Sequence, residues 1–342
     1  MKKIIEEQLD DLALGAALLG SGGGGDPAYE LLMAKQAFEE YGPPDLVDLK
    51  EVPDNALVVP IAFMGAPLVS MERLPSGREY AAILKRIESH LGKRATHLVA
   101  AEIGGANAFT PLIAGAMARL PVVDADTLGR AFPELQMSSC HLHGVESTPA
   151  FLSDPMGNTD VVEIKDAGAM EKCCRKICVE MGSSAAVAVY LMSGEAAKQA
   201  LIPGTVSQAI SLGAGLKRDG LKGICRESRG RVLGTGVVVD IDQSIQEGFL
   251  NGMFTLECFD EPIVVQYQNE FLAAFQGDRV LAATPDIIIP VEEESVRPVT
   301  SESLQYGLRV DLLCLPSPEV WKTPEGLSLV GPEKFNLRSQ KC

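Results

Sequence analysis

The sequence predicts an α/β N-terminal domain with a largely parallel or mixed sheet, followed by an α+β C-terminal domain rich in β structure, arranged as a sandwich or a barrel. In the first half, apolar runs without alternation, typical of strands buried on both faces, alternate with helical patterns. After about Arg218, short β-rich runs are separated by turn residues. The length of 342 residues also suggests two domains. We expect a glycine-loop α/β domain over residues 1–165 and a β-rich domain, introduced by helices, over residues 166–342.

The elements of the first domain follow from local patterns. Lys3–Leu19 has apolar residues at helical spacing. A second helix is expected from Pro27, which follows an N-cap at Asp26, and Thr110 and Pro111 begin a later helix in the same way. The remaining elements are the strands Leu57–Phe63, Thr96–Ala101, Pro121–Val123 and Thr159–Ile164, and the helix Glu79–Leu91.

The second domain begins with helices and continues with strands. Ala167–Met181 and Thr205–Leu216 have helical spacing, and Ala185–Met192 between them is a continuous apolar strand. The later strands are Arg231–Ile241, Phe249–Phe259, Ile263–Gln268, Arg279–Ala283, Asp286–Val291 and Leu308–Leu315.

The composition excludes several classes of function. Thirty Lys and Arg residues against 46 Asp and Glu residues leave a net charge of −16, which repels phosphate backbones. Only 5% of the residues are aromatic, which disfavours a platform for stacking bases. No apolar run approaches the roughly 18 residues of a membrane helix. We therefore expect neither nucleic acid nor a membrane as a partner.

The N-terminus and the cysteines predict a cytoplasmic location. The start MKKIIEEQLDDLALG carries four acidic residues where a signal peptide needs an apolar region. The eight cysteines are spread through the chain without the spacing of a disulfide scaffold, so we expect reduced thiols. The mean hydropathy of +0.12 leaves apolar surface for a subunit interface, which favours a homo-oligomer.

Acidic residues follow the predicted parallel strands. Ligands bind beyond the carboxyl ends of such strands, where this chain has the turn Met64–Pro67, which includes Gly65, then Glu102, and then Asp124 and Asp126. Glu102 is a candidate acid or base, or else a carboxylate that holds the amides of the following turn. Asp124 and Asp126 can bind a cation, hold a water molecule or pair with a nearby arginine. The adjacent candidates for substrate binding are Asn107 and Arg130.

The most unusual segment is the glycine run that ends at Asp26. It follows a helix rather than a strand, so it is not a dinucleotide fingerprint, and no Lys-Ser/Thr pair makes it a P-loop. Glycine amides before a helix can approach an anion or a polarised carbonyl, which makes Gly22, Gly23, Gly24 and Gly25 candidates for ligand contact. The alternatives are a mobile or tightly packed turn, and an N-cap role alone for Asp26.

Two further groups are candidates for a site. His141 and His143 are spaced i, i+2, so on an extended chain both rings face one way, as the edge of a divalent metal site, for example zinc, requires. The alternative is a pair of ordinary hydrogen-bonded histidines. Asn269 and Glu270, at the end of a strand in the second half, can contribute an amide and a carboxylate to a cleft between the domains.

Several motifs together resemble the S-methyl thiohydantoin desulfurase-like family. In the first domain these are ALGAALLGSGGGGDP (Ala13–Pro27), EIGGAN (Glu102–Asn107) and PVVDADTLGRAFPELQM (Pro121–Met137), with the Met64–Pro67 turn. The second domain has similar segments. They are QYQNE (Gln266–Glu270), TPDIII (Thr284–Ile289) and GPEKF (Gly331–Phe335).

The resemblance implies a hydrolase that acts on a small hydantoin-like heterocycle and converts an S-methyl thiohydantoin to hydantoin and methanethiol. Such a reaction needs a base, an acid and, in one version, a metal-bound water. Glu102 or Asp124 is then the candidate base, Asp126 with the two histidines the metal or proton-transfer group, and the glycine run the cradle for the ring. The alternatives are a non-catalytic accessory subunit of a hydantoinase-type enzyme, and a hydrolase of other cyclic amides.

Overall fold

The computed structural model describes residues 2–65, 75–246, 248–335 and 337. It confirms the predicted fold class, with an α/β first part built on a mixed sheet and a later part built on an antiparallel sheet. The residues Ala66 and Pro67 of the predicted turn lie outside the described residues.

The predicted helices and strands are present in the predicted order, with differences at their ends, and the structure adds elements that were not predicted, among them the strands Asp45–Val47, Ala150–Ser153 and Glu270–Gln276. The helices are α1 (Glu6–Leu19), α2 (Ala28–Tyr41), α3 (Arg78–Leu91), α4 (Thr110–Ala118), α5 (Ser139–Leu142), α6 (Ala167–Glu180), α7 (Gly194–Ala200), α8 (Thr205–Asp219), α9 (Leu221–Ser228) and α10 (Pro324–Val330). The strands of the first sheet are β1 (Lys2–Lys3), β2 (Asp45–Val47), β3 (Leu57–Gly65), β4 (His97–Ala100), β5 (Val122–Asp126), β6 (Ala150–Ser153), β7 (Thr159–Val162), β8 (Ser184–Ala188), β9 (Met192–Ser193) and β10 (Ile202–Pro203). The strands of the second sheet are β11 (Arg231–Gln246), β12 (Phe249–Cys258), β13 (Ile263–Gln268), β14 (Glu270–Gln276), β15 (Arg279–Ala283), β16 (Ile287–Glu292) and β17 (Arg309–Leu315).

The first sheet has the order β1-β2-β5-β4-β3-β8-β6-β7. Strands β2, β5, β4 and β3 are parallel, and β8 pairs with β3 in the antiparallel direction. The central strand β3 is apolar along nearly its whole length because side chains pack on both faces of the sheet. The carboxyl ends of β3, β4 and β5 therefore lie side by side at one edge.

The second sheet is antiparallel, with the order β15-β14-β13-β12-β11-β17-β16. It curls into a half-barrel, so that β14 also contacts β16. Strand β8 belongs to the first sheet, which means that the chain completes that sheet after residue 166 and enters the second sheet at Arg231.

Buried hydrogen bonds join loops of the first part of the chain to the later part. The Ser21 hydroxyl donates to the carbonyl oxygens of Phe271 and Ile288, at 3.1 and 2.9 Å, and the Phe271 amide donates back to the Ser21 carbonyl at 2.6 Å. The Trp321 indole donates to the Leu128 carbonyl at 2.6 Å. These contacts hold the glycine run against the second sheet. Within the part of the chain that the structure describes, no helix has both the length and the apolar character needed to cross a bilayer.

Candidate functional site

A cavity of about 540 Å³ lies beyond the carboxyl ends of β3, β4 and β5. This is where an α/β sheet is expected to bind ligands, and the volume is in the range of small-molecule sites. Both parts of the chain line it: Gly65 ends β3 and Glu102 follows β4, while Asn269 and Glu270 lie where β13 turns into β14. The other polar lining residues are Asp26, Tyr29, Glu30, Asn107, Thr127, Glu134, Glu171, Arg175, Tyr190, Thr300, Glu302 and Ser303.

The glycine run forms one wall of the cavity at Gly23, Gly24 and Gly25. A side chain has no room here, because a Cβ at Gly23 would overlap with Oε1 of Glu270, and a Cβ at Gly24 would overlap with the Gly104 carbonyl. Gly24 and Gly25 also have φ angles of +72° and +77°, which glycine adopts without strain. The segment is therefore a tightly packed turn and a cavity wall at the same time.

Gly22 and Asp26 flank this wall. Gly22 packs on the Phe271 ring, and its carbonyl accepts a hydrogen bond from the Ser301 amide at 2.9 Å, so it lies behind the cavity surface. The Asp26 carboxylate lines the cavity and accepts a hydrogen bond from the Ala28 amide at 2.9 Å. Asp26 thus combines a role at the start of α2 with a position at the cavity.

Glu102 is held in a defined orientation at the cavity. One carboxylate oxygen accepts a hydrogen bond from Asn107 Nδ2 at 3.1 Å, and the other accepts one from the Phe132 amide at 3.4 Å. Asn107 is itself fixed, because its Oδ1 accepts a hydrogen bond from the Phe63 amide at 2.6 Å. Burial raises the pKa of Glu102 to about 7, and the two hydrogen bonds oppose this effect. A carboxyl with such a pKa can take up and release a proton near neutral pH.

Glu270 faces the same cavity and is only 2% exposed. Its Oε2 has no hydrogen-bond partner in the protein. Burial, with the negative charge of Glu102, raises the pKa of Glu270 well above the ordinary value, although the positive charge of Arg130 opposes the shift. Burial therefore favours the protonated form of the Glu270 carboxyl, which has an oxygen available to a ligand. The neighbouring Asn269 accepts a hydrogen bond from the Leu250 amide at 2.8 Å through Oδ1.

Arg130 is fully buried and is not among the residues that line the cavity. Its Nη1 donates to the carbonyl oxygens of Pro285 and Asp286, at 2.7 and 2.8 Å, while its Nη2 has no partner. Desolvation lowers the pKa of Arg130 to about 10, and the negative charge of Glu270 opposes that shift. Arg130 remains a cation at neutral pH, and it connects the two sheets next to the buried carboxyls.

Asp124 and Asp126 lie on β5 as expected, but their side chains make structural contacts outside the lining of the cavity. Asp124 accepts hydrogen bonds from the amide and the hydroxyl of Ser207, at 3.0 and 2.5 Å, and so holds the first turn of α8. Asp126 is fully buried and accepts hydrogen bonds from the amides of Ile103 and Gly129, each at 2.9 Å. Its pKa is raised to about 7 by burial. Of the predicted acids, the structure brings Glu102, Glu270 and Asp26 to one cavity.

Two protein-family models match consecutive parts of the chain. The model of the S-Me-THD-like N-terminal domain matches residues 7–164, and that of the S-Me-THD-like C-terminal domain matches residues 165–341. The chain belongs to the S-Me-THD-like family. The resemblance inferred from the motifs is thereby confirmed.

One solved structure with the same fold is that of a protein from Chromobacterium violaceum. It matches with a TM-score of 0.82 and 25% sequence identity, and the match covers 98% of this chain and 97% of that chain. The S-Me-THD-like fold is therefore similar in the two proteins over nearly their whole length. No curated protein matches this chain.

The histidine pair of this S-Me-THD-like protein does not have the local structure that the sequence suggested. We expected an extended chain, but His141 lies in the short helix α5 and His143 directly follows it. Residues at i, i+2 of a helix point in different directions, so the two rings do not form one edge. His143 Nδ1 instead contacts the Ser139 carbonyl at 2.8 Å. Among the residues that the structure describes, no group of three or more His, Cys, Asp or Glu side chains is arranged to hold a metal ion.

Sequence reasoning missed several lining residues of the S-Me-THD-like cavity. Glu171 and Arg175 have the i, i+4 spacing of a helical ion pair, and their side chains are 2.5 Å apart, but the spacing does not show which side of the helix meets a cavity. Glu30 and Glu302 lie in segments without a motif. The missed charged and hydroxyl-bearing residues are Tyr29, Glu30, Thr127, Glu134, Glu171, Arg175, Tyr190, Thr300, Glu302 and Ser303.

Tyr190 is the most informative of the missed residues. It is 2% exposed, lines the cavity, and has a φ angle of +57°, which is uncommon for a residue with a bulky side chain. Its hydroxyl has no hydrogen-bond partner in the protein. A buried hydroxyl without a partner is costly, so a group that occupies the cavity can stabilise it. The signal in the sequence was its position two residues after the buried strand β8.

Proposed function

We propose that the protein hydrolyses a small hydantoin-like heterocycle, and specifically that it converts an S-methyl thiohydantoin to hydantoin and methanethiol. Membership of the S-Me-THD-like family supports this substrate class. The main structural support is the pair Glu102 and Glu270, two carboxyls with raised pKa values at one cavity. This pair supplies a proton acceptor and a proton donor at neutral pH.

The first half of the reaction adds water to the ring. In the substrate, the carbon that bears the S-methyl group has a double bond to a ring nitrogen. Glu102 takes a proton from a water molecule as its oxygen attacks this carbon, and Glu270 donates a proton to the ring nitrogen. The product of this step is a tetrahedral carbon with a hydroxyl and an S-methyl group, and the two carboxyls have exchanged their protonation states.

The second half breaks the carbon–sulfur bond. The proton on Glu102 passes to the sulfur, methanethiol leaves, and Glu270 takes the hydroxyl proton as the carbonyl forms. Both carboxyls return to their starting states, so that one water molecule is consumed for each thiol released. Asn107 is a positioning residue for Glu102, because it holds one oxygen of the carboxylate.

The cavity has a suitable shape for such a ring. Gly23, Gly24 and Gly25 form a wall without side chains, on which a flat ring can lie close to the backbone. The lining also includes the apolar side chains of Val187 and Val189. The volume of about 540 Å³ is within the range of small-molecule binding sites, and it leaves space for a substituent on the ring.

A thiol-release assay tests the proposed reaction. The purified protein is incubated with S-methyl thiohydantoins and with the corresponding hydantoins and cyclic imides, and both thiol release and ring opening are measured. Release of methanethiol from the S-methylated rings alone supports the proposal. Opening of unmodified rings without thiol release would favour a cyclic-amide hydrolase. Thermal stabilisation by these rings without any product would favour an accessory binding subunit.

The surroundings of this reaction are also part of the proposal. We infer that the protein acts in a reducing compartment, the cytoplasm, since the described cysteines are free thiols. A hydantoin product is the substrate of a hydantoinase-type enzyme, which we propose as its partner in sequence. We also propose a homo-oligomer, which sedimentation of the purified protein tests.

The pH dependence of kcat/KM follows from Glu102. As a base, Glu102 must be ionised, and its pKa is about 7. We therefore expect kcat/KM to fall about tenfold for each pH unit below 7, because the fraction of carboxylate falls in that proportion. Thiol release measured from pH 5 to 9 checks this expectation. A profile that stays flat down to about pH 5, near the ordinary pKa of a glutamate, would contradict the role of Glu102.

Substitution Tyr190→Phe tests whether this hydroxyl contacts the ligand. We expect KM to rise about fivefold to tenfold, the effect of one lost hydrogen bond. The thermal midpoint should not fall, because the hydroxyl has no partner in the protein. Tyr80→Phe is the matched control, since Tyr80 is equally buried but does not line the cavity. An unchanged KM in Tyr190→Phe would show that the hydroxyl does not contact the substrate.

A further inference from the structure

The charge of the cavity is strongly one-sided. Arg175 is the one cationic side chain among the described lining residues, and it is already paired with Glu171 at 2.5 Å. The same lining contains seven carboxyl groups. These belong to Asp26, Glu30, Glu102, Glu134, Glu171, Glu270 and Glu302. Such a cavity attracts positive charge and repels negative charge.

Three of these carboxyls form a separate group, which we call the acidic subsite: Asp26, Glu30 and Glu302. They come from the end of the glycine run, from α2 and from the turn Ser301–Ser303. All three line the same cavity, and the negative charge of Asp26 contributes to the raised pKa values of the other two. Within residues 2–65, 75–246 and 248–335, no Lys, Arg or His lies within ion-pair distance of any of them.

Without a ligand, burial of the carboxylates of the acidic subsite is energetically unfavourable. Glu30 and Glu302 are both partly buried, and burial is the main reason that their pKa values are raised, that of Glu30 to about 7. Each carboxylate loses hydration without gaining an opposite charge in return. A positively charged group placed between them would compensate for this loss.

A second observation points to a ligand in the cavity that holds the acidic subsite. Glu270 is buried at the same cavity, and its Oε2 has no hydrogen-bond partner. Glu302 and Glu270 line the same cavity, so the subsite shares that cavity with the carboxyl that we propose as the proton donor. A ring held at Glu270 can therefore extend a substituent to Glu30 and Glu302.

We propose that the acidic subsite binds a cationic substituent of the substrate, an ammonium or guanidinium group carried on a short chain from the ring. The inference rests on the proposed function for the nature of the ring, but the charge selection can be measured by binding alone. The protein then selects rings with a basic side chain over neutral rings of the same length. It discriminates against rings with an acidic side chain.

The test compares three hydantoins by calorimetry, with 4-aminobutyl, butyl and 2-carboxyethyl groups on the same ring carbon. We expect the aminobutyl ring to bind about tenfold more tightly than the butyl ring, and the carboxyethyl ring to bind most weakly. A higher salt concentration should weaken the binding of the aminobutyl ring more than that of the butyl ring. Equal affinity for the aminobutyl and butyl rings would overturn the inference. Tight binding of Mg²⁺ or Zn²⁺ alone at the subsite would also overturn it, in favour of a metal ion.

Variants of the acidic subsite test whether its residues cause the preference for a cationic substituent. In Glu30→Gln and in Glu302→Gln, the preference for the aminobutyl over the butyl ring should fall at least about threefold, and in the double variant it should be lost. Asp278→Asn is the matched control, because it removes one charge from an exposed turn outside the cavity. An unchanged preference in the double variant would place the selection elsewhere and overturn the assignment of the subsite.

The two proposals fail in different ways. If the rings bind with the expected order but no S-methylated ring releases thiol, the proposed reaction is wrong and the acidic subsite remains. If thiol is released equally from the aminobutyl and butyl S-methyl thiohydantoins and their products bind equally, the reaction remains and the acidic subsite is wrong. If no ring binds at all, both are wrong.

Discussion

Glu102→Gln is expected to lower kcat for thiol release by about 10²-fold to 10⁴-fold, the usual contribution of a general base. Glutamine keeps the shape of the side chain and can still accept the hydrogen bond from Asn107, but it cannot take a proton from water. The substitution also removes the negative charge that raises the pKa of Glu270. Steady-state kinetics of methanethiol release measure the effect, and the affinity for the hydantoin product shows whether the cavity is intact.

Asp124→Asn is the matched control for this prediction. It removes a carboxylate from the neighbouring strand, where the side chain bonds to Ser207 and does not line the cavity. We expect kcat within about threefold of the original value, since the substitution is nearly isosteric and distant from the ligand. Full activity of Glu102→Gln would rule out Glu102 as the general base. A large loss of kcat in Asp124→Asn would instead favour Asp124 as the base.

Arg130→Met is expected to lower the free energy of unfolding by about 3–5 kcal/mol, the cost of removing one partner from a buried charge group. Arg130 is fully buried and donates to the carbonyl oxygens of Pro285 and Asp286. Methionine fills a similar volume, but both carbonyls lose their donor and Glu270 loses the positive charge near it. Urea unfolding followed by circular dichroism measures the change.

Two further variants keep this prediction testable. Arg279→Met removes an exposed arginine at a hairpin of the second sheet, and we expect a change within about 0.5 kcal/mol. Arg130→Lys keeps the charge but loses the planar group that reaches two carbonyls. Its loss in the free energy of unfolding should therefore lie between those of Arg279→Met and Arg130→Met. Equal stability of Arg130→Met and Arg279→Met would show that Arg130 does not hold the sheets together.

The part of the site that sequence reasoning found is the part encoded locally. Glu102 was predicted because it directly follows a buried strand, and the glycine run because four consecutive glycines are costly without a close approach. Both line the cavity, except that Gly22 lies behind its surface. The prediction for Asn269 and Glu270 as cleft residues also came from their position at the end of a strand, and both line the cavity.

Other residues show where local pattern was insufficient. Asp124 and Asp126 share a strand with the expected alternation, but periodicity does not reveal that Ser207 and the amides after β4 occupy their oxygens. The extended structure expected for His141 and His143 is wrong, because their rings were judged from spacing alone and the chain forms a helical turn there. Partners far along the chain hold Asp124 and Asp126, whereas a local helical turn sets the orientation of the two histidines.

By itself, the sequence determined the fold class, the longer helices and strands, and the family, because apolar periodicity, turn residues and short motifs are properties of neighbouring residues. Only the tertiary structure decided that Glu102, Glu270 and the acidic subsite share one cavity, with Tyr190 in its wall. The physical reason is the packing of two sheets through long-range contacts, such as those of Ser21 and Arg130. Burial and charge proximity, which set the pKa values of the carboxyls, exist only after that packing is complete.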